Sequence, residues 1–211
     1  MKRTARKAHE KIFFSMRMPG QADFQRLDEE AFMELALKVK AELHLLETPS
    51  GALELSHEQG FAVAALNSRD VIVGYTRLSH LFGSDGGDAW LELGATYVEP
   101  DYRGLGINKQ MYQMLLPAHD DKNILATTTN VVSLAIGEAF GFVTIDRMLL
   151  PAKVWQASCC CPKSKTEAKY DDNRDCVRAH GESQCQIGVP ACFYRVTRST
   201  AERLRRVRVA A

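Results

Sequence analysis

The chain has 211 residues, 45% hydrophobic and 25% charged, which suits one sizeable core or a core with one appendage. Its formal net charge is +1, so no overall field draws it to nucleic acid or to an anionic membrane. No apolar run approaches a membrane span, and the basic start (Lys2, Arg3, Arg6, Lys7, Lys11) lacks the apolar stretch of a secretory signal, so the expected compartment is the cytosol.

In chain order, the basic start reads as a frayed terminus rather than a transit peptide. Residues 27–46 predict an amphipathic helix: Asp28 caps it, Glu29 and Glu30 suit the positive end of its dipole, and Phe32, Leu35, Val39 and Leu43 recur at helical spacing. Thr48-Pro49-Ser50-Gly51 stops it. Two apolar runs, 61–66 and 71–75, flank the polar turn Asn67-Ser68-Arg69-Asp70 and predict an antiparallel hairpin. Residues 89–98 alternate as a strand, with Trp90, Glu92, Gly94, Thr96 and Val98 on one face and Pro100 at its end. A glycine-rich turn leads into a helix with Ile107, Met111, Met114 and Leu115 inward. A short strand at 124–127 follows. Asn130 caps a helix over 131–140, and Gly141 fits a left-handed C-cap. Strands are expected at 142–150 and 191–197, separated by a polar, cysteine-bearing insertion at about 156–190. The arginines at 203, 205, 206 and 208 read as a solvated helix end rather than a nucleic-acid patch. The expected fold is mixed α/β: a single domain over 1–211, with helices on a partly antiparallel sheet.

The strongest chemical signal is the turn Arg103-Gly104-Leu105-Gly106-Ile107-Asn108 between a strand and a helix. The first amides of a helix lack intrahelical partners, and with the helix dipole they favour an anion such as a pyrophosphate. Arg103 adds a cation at the rim, and Lys109 could do the same. Glycines alone fit equally a plain strand-to-helix connection. A dinucleotide-binding turn fits poorly: its third glycine position is Lys109, and an antiparallel hairpin precedes the turn.

These residues resemble the GNAT N-acetyltransferases, whose coenzyme A turn reads Gln/Arg-x-x-Gly-x-Gly/Ala. Arg103, Gly104, Leu105, Gly106 and Ile107 match, while Asn108 stands at the closing glycine or alanine. Val98-Glu99-Pro100-Asp101-Tyr102 is similar to the family's phrase before the turn. Asn130, Ser133, Ile136, Gly141 and Phe142 fall at the spacing of its Asn-x-x-Ala…Gly-Phe helix. The resemblance covers residues 60–150 well and the N-terminal helix loosely, and does not cover the cysteine segment. It implies a mixed, mostly antiparallel sheet with flanking helices, in which the strand at 91–98 splays from the strand at 124–127.

The resemblance further implies acyl-CoA, with acetyl-CoA as co-substrate, and an amine acceptor. The amides of residues 104–109 would hold the pyrophosphate, the Val98 amide would polarise the thioester carbonyl, and Asn130 would reach the coenzyme arm. A protonated alkylamine cannot attack, so a base is needed. Glu92 stands where the family's histone-acetylating branch places its glutamate, and Trp90 and Leu93 would make its surroundings partly apolar. The alternative for Glu92 is an ordinary strand carboxylate. The family's tyrosine acid is replaced by Gly137; Ser133 and Tyr97 are the other proton donors at hand, and Tyr112 reads as a packing residue.

All six cysteines lie from Cys159 onward. Cys159 and Cys161, at the end of a strand, with Cys176 and Cys185 form a candidate tetrahedral zinc set, and His180 could replace one thiolate. The other reading is reduced thiols on a polar loop. Two functions follow: an acyl-CoA-dependent N-acyltransferase, or a coenzyme-binding or zinc-organised interaction module without catalysis. The sequence leaves the oligomeric state open.

Overall fold

A computed structural model describes residues 10–18, 21, 26–42, 45, 48–81, 89–128, 131–145, 149–158 and 193–209. Backbone contacts group the chain into two compact units: residues 1–79 with 94–119, and residues 80–93 with 120–211. The strands β1 (Phe13–Ser15), β2 (Ala62–Leu66), β3 (Ile72–His80), β4 (Trp90–Val98), β5 (Asn123–Thr128), β6 (Phe142–Thr144) and β7 (Phe193–Thr197) follow the order β1-β2-β3-β4-β5-β7-β6, and every registered pairing is antiparallel except β4 with β5.

In the first unit, Asp28 opens helix α1 (Glu29–Ala41) by accepting the Glu30 amide at 3.1 Å, as its sequence position predicts. The helix ends at Ala41 instead of 46, because Glu42 turns extended and returns its amide to the Val39 carbonyl. A second helix, α2 (Ser50–Glu58), follows Pro49 where the sequence reading has only a stop. Pro49 ends nothing here: it stands at the N-cap, where a missing amide costs little. A short strand β1 (Phe13–Ser15), also unforeseen, pairs with β2 (Ala62–Leu66), with Phe13 opposite Leu66. The expected hairpin of β2 and β3 (Ile72–His80) is present, with Ala64 opposite Tyr75 and Ala65 opposite Gly74. Every β2 residue is buried, so both faces of that strand are covered. On one face Ala62, Ala64, Leu66 and Tyr75 meet Phe32, Leu35, Val39 and Leu53 from the two helices. On the other, Gly74 admits helix α3 (Ile107–Leu115): a methyl group at Gly74 would stand 2.9 Å from Ile107 Cγ2. The buried side of α3 is Ile107, Met111, Tyr112 and Leu115, whereas Met114, expected inward, is 37% exposed.

In the second unit, the start of β4 (Trp90–Val98) runs parallel to β5 (Asn123–Thr128) from Trp90 opposite Asn123 to Leu93 opposite Ala126. Beyond that ladder β4 continues to Val98, within the first unit. β5 pairs antiparallel with β7 (Phe193–Thr197), which pairs antiparallel with β6 (Phe142–Thr144). Helix α4 (Val131–Ala139) ends before Gly141, whose φ of +76° bears out the left-handed cap. The strand expected over 142–150 is only three residues long, and helix α5 (Ala152–Ser158) follows. Cys159 therefore comes after a helix and not at the end of a strand. The arginine-rich tail is helix α6 (Arg198–Val209). It is not merely solvated: Thr200 is fully buried, and Ala201 joins a core of Trp90, Leu125, Leu150, Val154 and Val196.

Candidate active site

The turn that ends β4 is built by three local devices. Glu99 returns its amide to the Val73 carbonyl at 2.8 Å, and Pro100–Tyr102 makes a single 3-10 turn. Tyr102 is buried, donating its hydroxyl to Glu10 Oε2 at 2.6 Å and accepting from Asn67 Nδ2 at 3.2 Å. Gly104 and Gly106 then take φ of +83° and +78°. A methyl group at Gly106 would meet nothing within 4 Å, so the backbone angle, not space, requires glycine there. Gly106 is the N-cap of α3, and Gln110 makes the first return bond, to the Gly106 carbonyl at 3.1 Å. The amides of Ile107, Asn108 and Lys109 precede that bond and have no partner within the helix. Leu105 is half-buried and Ile107 is 2% exposed against the Gly74 gap.

Two candidate residues of this turn stand in unforeseen surroundings. Arg103 donates from Nε to the Val98 carbonyl at 2.8 Å and pairs with the Glu42 carboxylate at the end of α1. Lys38, one turn earlier on α1, pairs with Glu99 at 2.7 Å. Helix α1 thus grips both flanks of Val98–Arg103 by charge. Asn108 is half-buried beside Tyr112, and its Oδ1 has no hydrogen-bond partner among the described residues. Tyr112 also meets Thr96 Oγ1 at 3.2 Å, which meets Thr76 Oγ1 at 2.8 Å. Burial pushes the Tyr112 phenol up, against the smaller opposite pull of its bonds to Thr96 and Asn108. This polar chain pins β4 next to Ala95, whose φ of +47° interrupts the extended strand. Val98 is half-buried beyond that break. Tyr97 is buried in the core, and burial, then the Glu99 and Glu42 carboxylates, pushes its phenol up to about 12. It is therefore protonated at neutral pH.

In the second unit, Glu92 is half-buried and opposite Leu125. Thr127, two residues further along β5, faces the same side and donates Oγ1–H to Glu92 Oε1 at 2.9 Å. Trp90 shares that side, while Leu93 points to the other. On that other side lies a residue the sequence reading passed over. Arg195 of β7, opposite Ala126 and Thr144, is 2% exposed. Its guanidinium donates to the Leu134 carbonyl at 2.6 Å and the Phe142 carbonyl at 2.7 Å, with the Glu138 carboxylate 3.7 Å away. It fills the space beside Gly137, where a methyl group would come within 2.6 Å of Nη1. Nothing local in the sequence marks Arg195; the paired strands bring it under α4. Ser133 is exposed on α4. Asn130 and the candidate zinc ligands Cys159, Cys161, Cys176 and Cys185 lie outside the described residues. Among the described residues no cluster of His, Cys, Asp or Glu could hold a metal, and no helix is long and apolar enough to cross a membrane.

Residues 22–142 match the model of the Acetyltransferase (GNAT) family, and the chain belongs to that family. Its fold is similar to that of a chain in the NatC complex bound to Gag peptide and CoA (TM-score 0.57, 14% identity, covering 89% of this chain and 98% of that one). Arabidopsis thaliana Naa50 with a bisubstrate analogue is also similar (0.55, 12%, covering 88% and 97%). So is a GNAT acetyltransferase of Staphylococcus aureus Mu50 (0.51, 16%, covering 88% and 98%). At these identities the likeness concerns the fold. None of the curated proteins matches the chain.

Proposed function

We propose that the chain transfers an acetyl group from acetyl-CoA to the amine of a small molecule or protein, with residues 1–211 acting as one catalytic domain. The observation that carries this reading is the pair of left-handed glycines, Gly104 and Gly106, which open the first amides of α3 to an anion. Those amides hold the pyrophosphate. Arg103 contributes through the turn it braces rather than as a lone charge at the rim. The Val98 amide polarises the thioester carbonyl, and Asn130 reaches the coenzyme arm. Glu92 takes the proton that the amine loses as its nitrogen bonds to the carbonyl carbon and the C–S bond breaks. The departing group is a thiolate, and thiols ionise near about 8.5. It leaves without a dedicated acid, which fits Gly137 beside a walled-off Arg195.

The test is thiol release from acetyl-CoA with lysine, spermidine and a peptide bearing a free α-amino terminus. Turnover is expected with at least one, and Glu92→Gln should lower kcat about 10²- to 10⁴-fold. Coenzyme binding without thiol release from any acceptor would leave an interaction module instead of an enzyme.

A further inference from the structure

Glu92 holds a contact that the reaction itself does not explain. A glutamate on a strand has three rotatable side-chain bonds, and fixing them costs rotamer freedom. A base must nevertheless present its carboxylate in one orientation when the amine arrives. Thr127 supplies a fixed point. Its Oγ1 donates to Glu92 Oε1 at 2.9 Å, and its backbone is held in register opposite Tyr194 on β7. On the Glu92 side, Leu125 is the direct neighbour, so Thr127 lies on the diagonal of the same face. Threonine is branched at Cβ, so its hydroxyl has few directions open to it in a strand. Both ends of the hydrogen bond are thus set by strand pairing and not by a loop.

We propose that Thr127 is a positioning residue for the acyl transfer: its hydroxyl fixes the Glu92 carboxylate in the orientation that accepts the amine's proton. The inference rests on Glu92 being the base and adds a residue that the sequence reading did not single out. Thr127→Val keeps shape and strand preference while removing the donor, and Thr127→Ser keeps the donor while removing the methyl group.

The experiment measures kcat and the KM for acetyl-CoA, with the fastest acceptor among the three above, in wild type, Thr127→Val, Thr127→Ser, Glu92→Gln and the Glu92→Gln/Thr127→Val double variant. Thr127→Val should lower kcat about tenfold with KM for acetyl-CoA within about twofold. Thr127→Ser should recover most of that loss. In the Glu92→Gln background the same Thr127→Val change should have little further effect, since the group it orients is gone. The proposal is overturned if Thr127→Val is as fast as wild type, if Thr127→Ser is as slow as Thr127→Val, or if the two losses multiply. A Glu92→Gln enzyme as fast as wild type removes the base assignment, and this inference with it. A slow Glu92→Gln beside a harmless Thr127→Val removes the inference alone. A thermal midpoint of Thr127→Val close to wild type, which the isosteric change predicts, separates lost positioning from lost fold.

Discussion

Two glycines near the candidate site are required for opposite reasons, and substitution separates them. Gly137 needs room: the nearest atom to an added methyl group is the Arg195 guanidinium, which cannot retreat without abandoning the Leu134 and Phe142 carbonyls. Gly137→Ala should therefore destabilise the protein by about 1–3 kcal/mol in urea unfolding. Gly106 needs an angle: space beside it is open, but an alanine at φ +78° carries roughly 1–2 kcal/mol of backbone strain. If the turn relaxes to relieve that strain, the amides of α3 lose their aim, so Gly106→Ala should weaken coenzyme A binding in calorimetry. Gly137→Ala, distant from those amides in sequence, should affect stability more than coenzyme affinity. Asn108 stands at the family's small residue beside Tyr112, and its Oδ1 is buried with no hydrogen-bond partner among the described residues.

At the scale of elements, β1, α1 and α2 meet around one histidine. His57 is fully buried on α2, its Nε2 within 3.1 Å of Ser15 Oγ and 3.2 Å of the Ser15 carbonyl, with the Phe32 ring of α1 5.6 Å away. Burial lowers its pKa from the ordinary 6.5, outweighing the opposite pull of the Ser15 bond and of Glu58. The unfolded chain then binds a proton that the folded chain refuses, so stability is complete above the unfolded value and falls as pH drops through it. Urea unfolding between about pH 7 and pH 5 should show that loss, and a His57→Gln variant should flatten this part of the slope. The same three elements show what the sequence could and could not reveal. Helix α1 was legible from Asp28 and from Phe32, Leu35 and Val39, because a cap and an apolar stripe are local chemistry. Helix α2 was not: its buried positions are Leu53 and a histidine, too thin a stripe to read, and Pro49 looks like a stop. Strand β1 owes its existence to pairing with a run some fifty residues away. The glycine turn was legible because left-handed angles leave a signature in residue type. Thr127 and Arg195 were not, because strand register assembles their surroundings. Met114, expected inward, is exposed at the margin of the stripe, while Tyr112 is buried as its reading as a packing residue predicts.

For the molecule as a whole, coenzyme binding should appear as added stability, since only the folded turn presents the α3 amides. At a hundredfold excess over Kd the gain is about 2.7 kcal/mol, on the order of 5–10 °C in Tm for a chain of this size by thermal shift. Gly106→Ala should shrink that shift at equal coenzyme concentration. The two units are threaded through each other in sequence: the second begins with residues 80–93, the first is finished by 94–119, and the second resumes at Asp120. That order matters while the chain is being made. Neither unit can close before part of the other has left the ribosome. β5 emerges roughly seventy residues ahead of β7, a wait on the order of several seconds at ordinary rates of synthesis. Throughout that interval the edge of β5 that pairs with β7 is open to any neighbouring chain. A fragment stopped short of β7 would stay in that state for good, a nucleus for aggregation rather than a smaller enzyme.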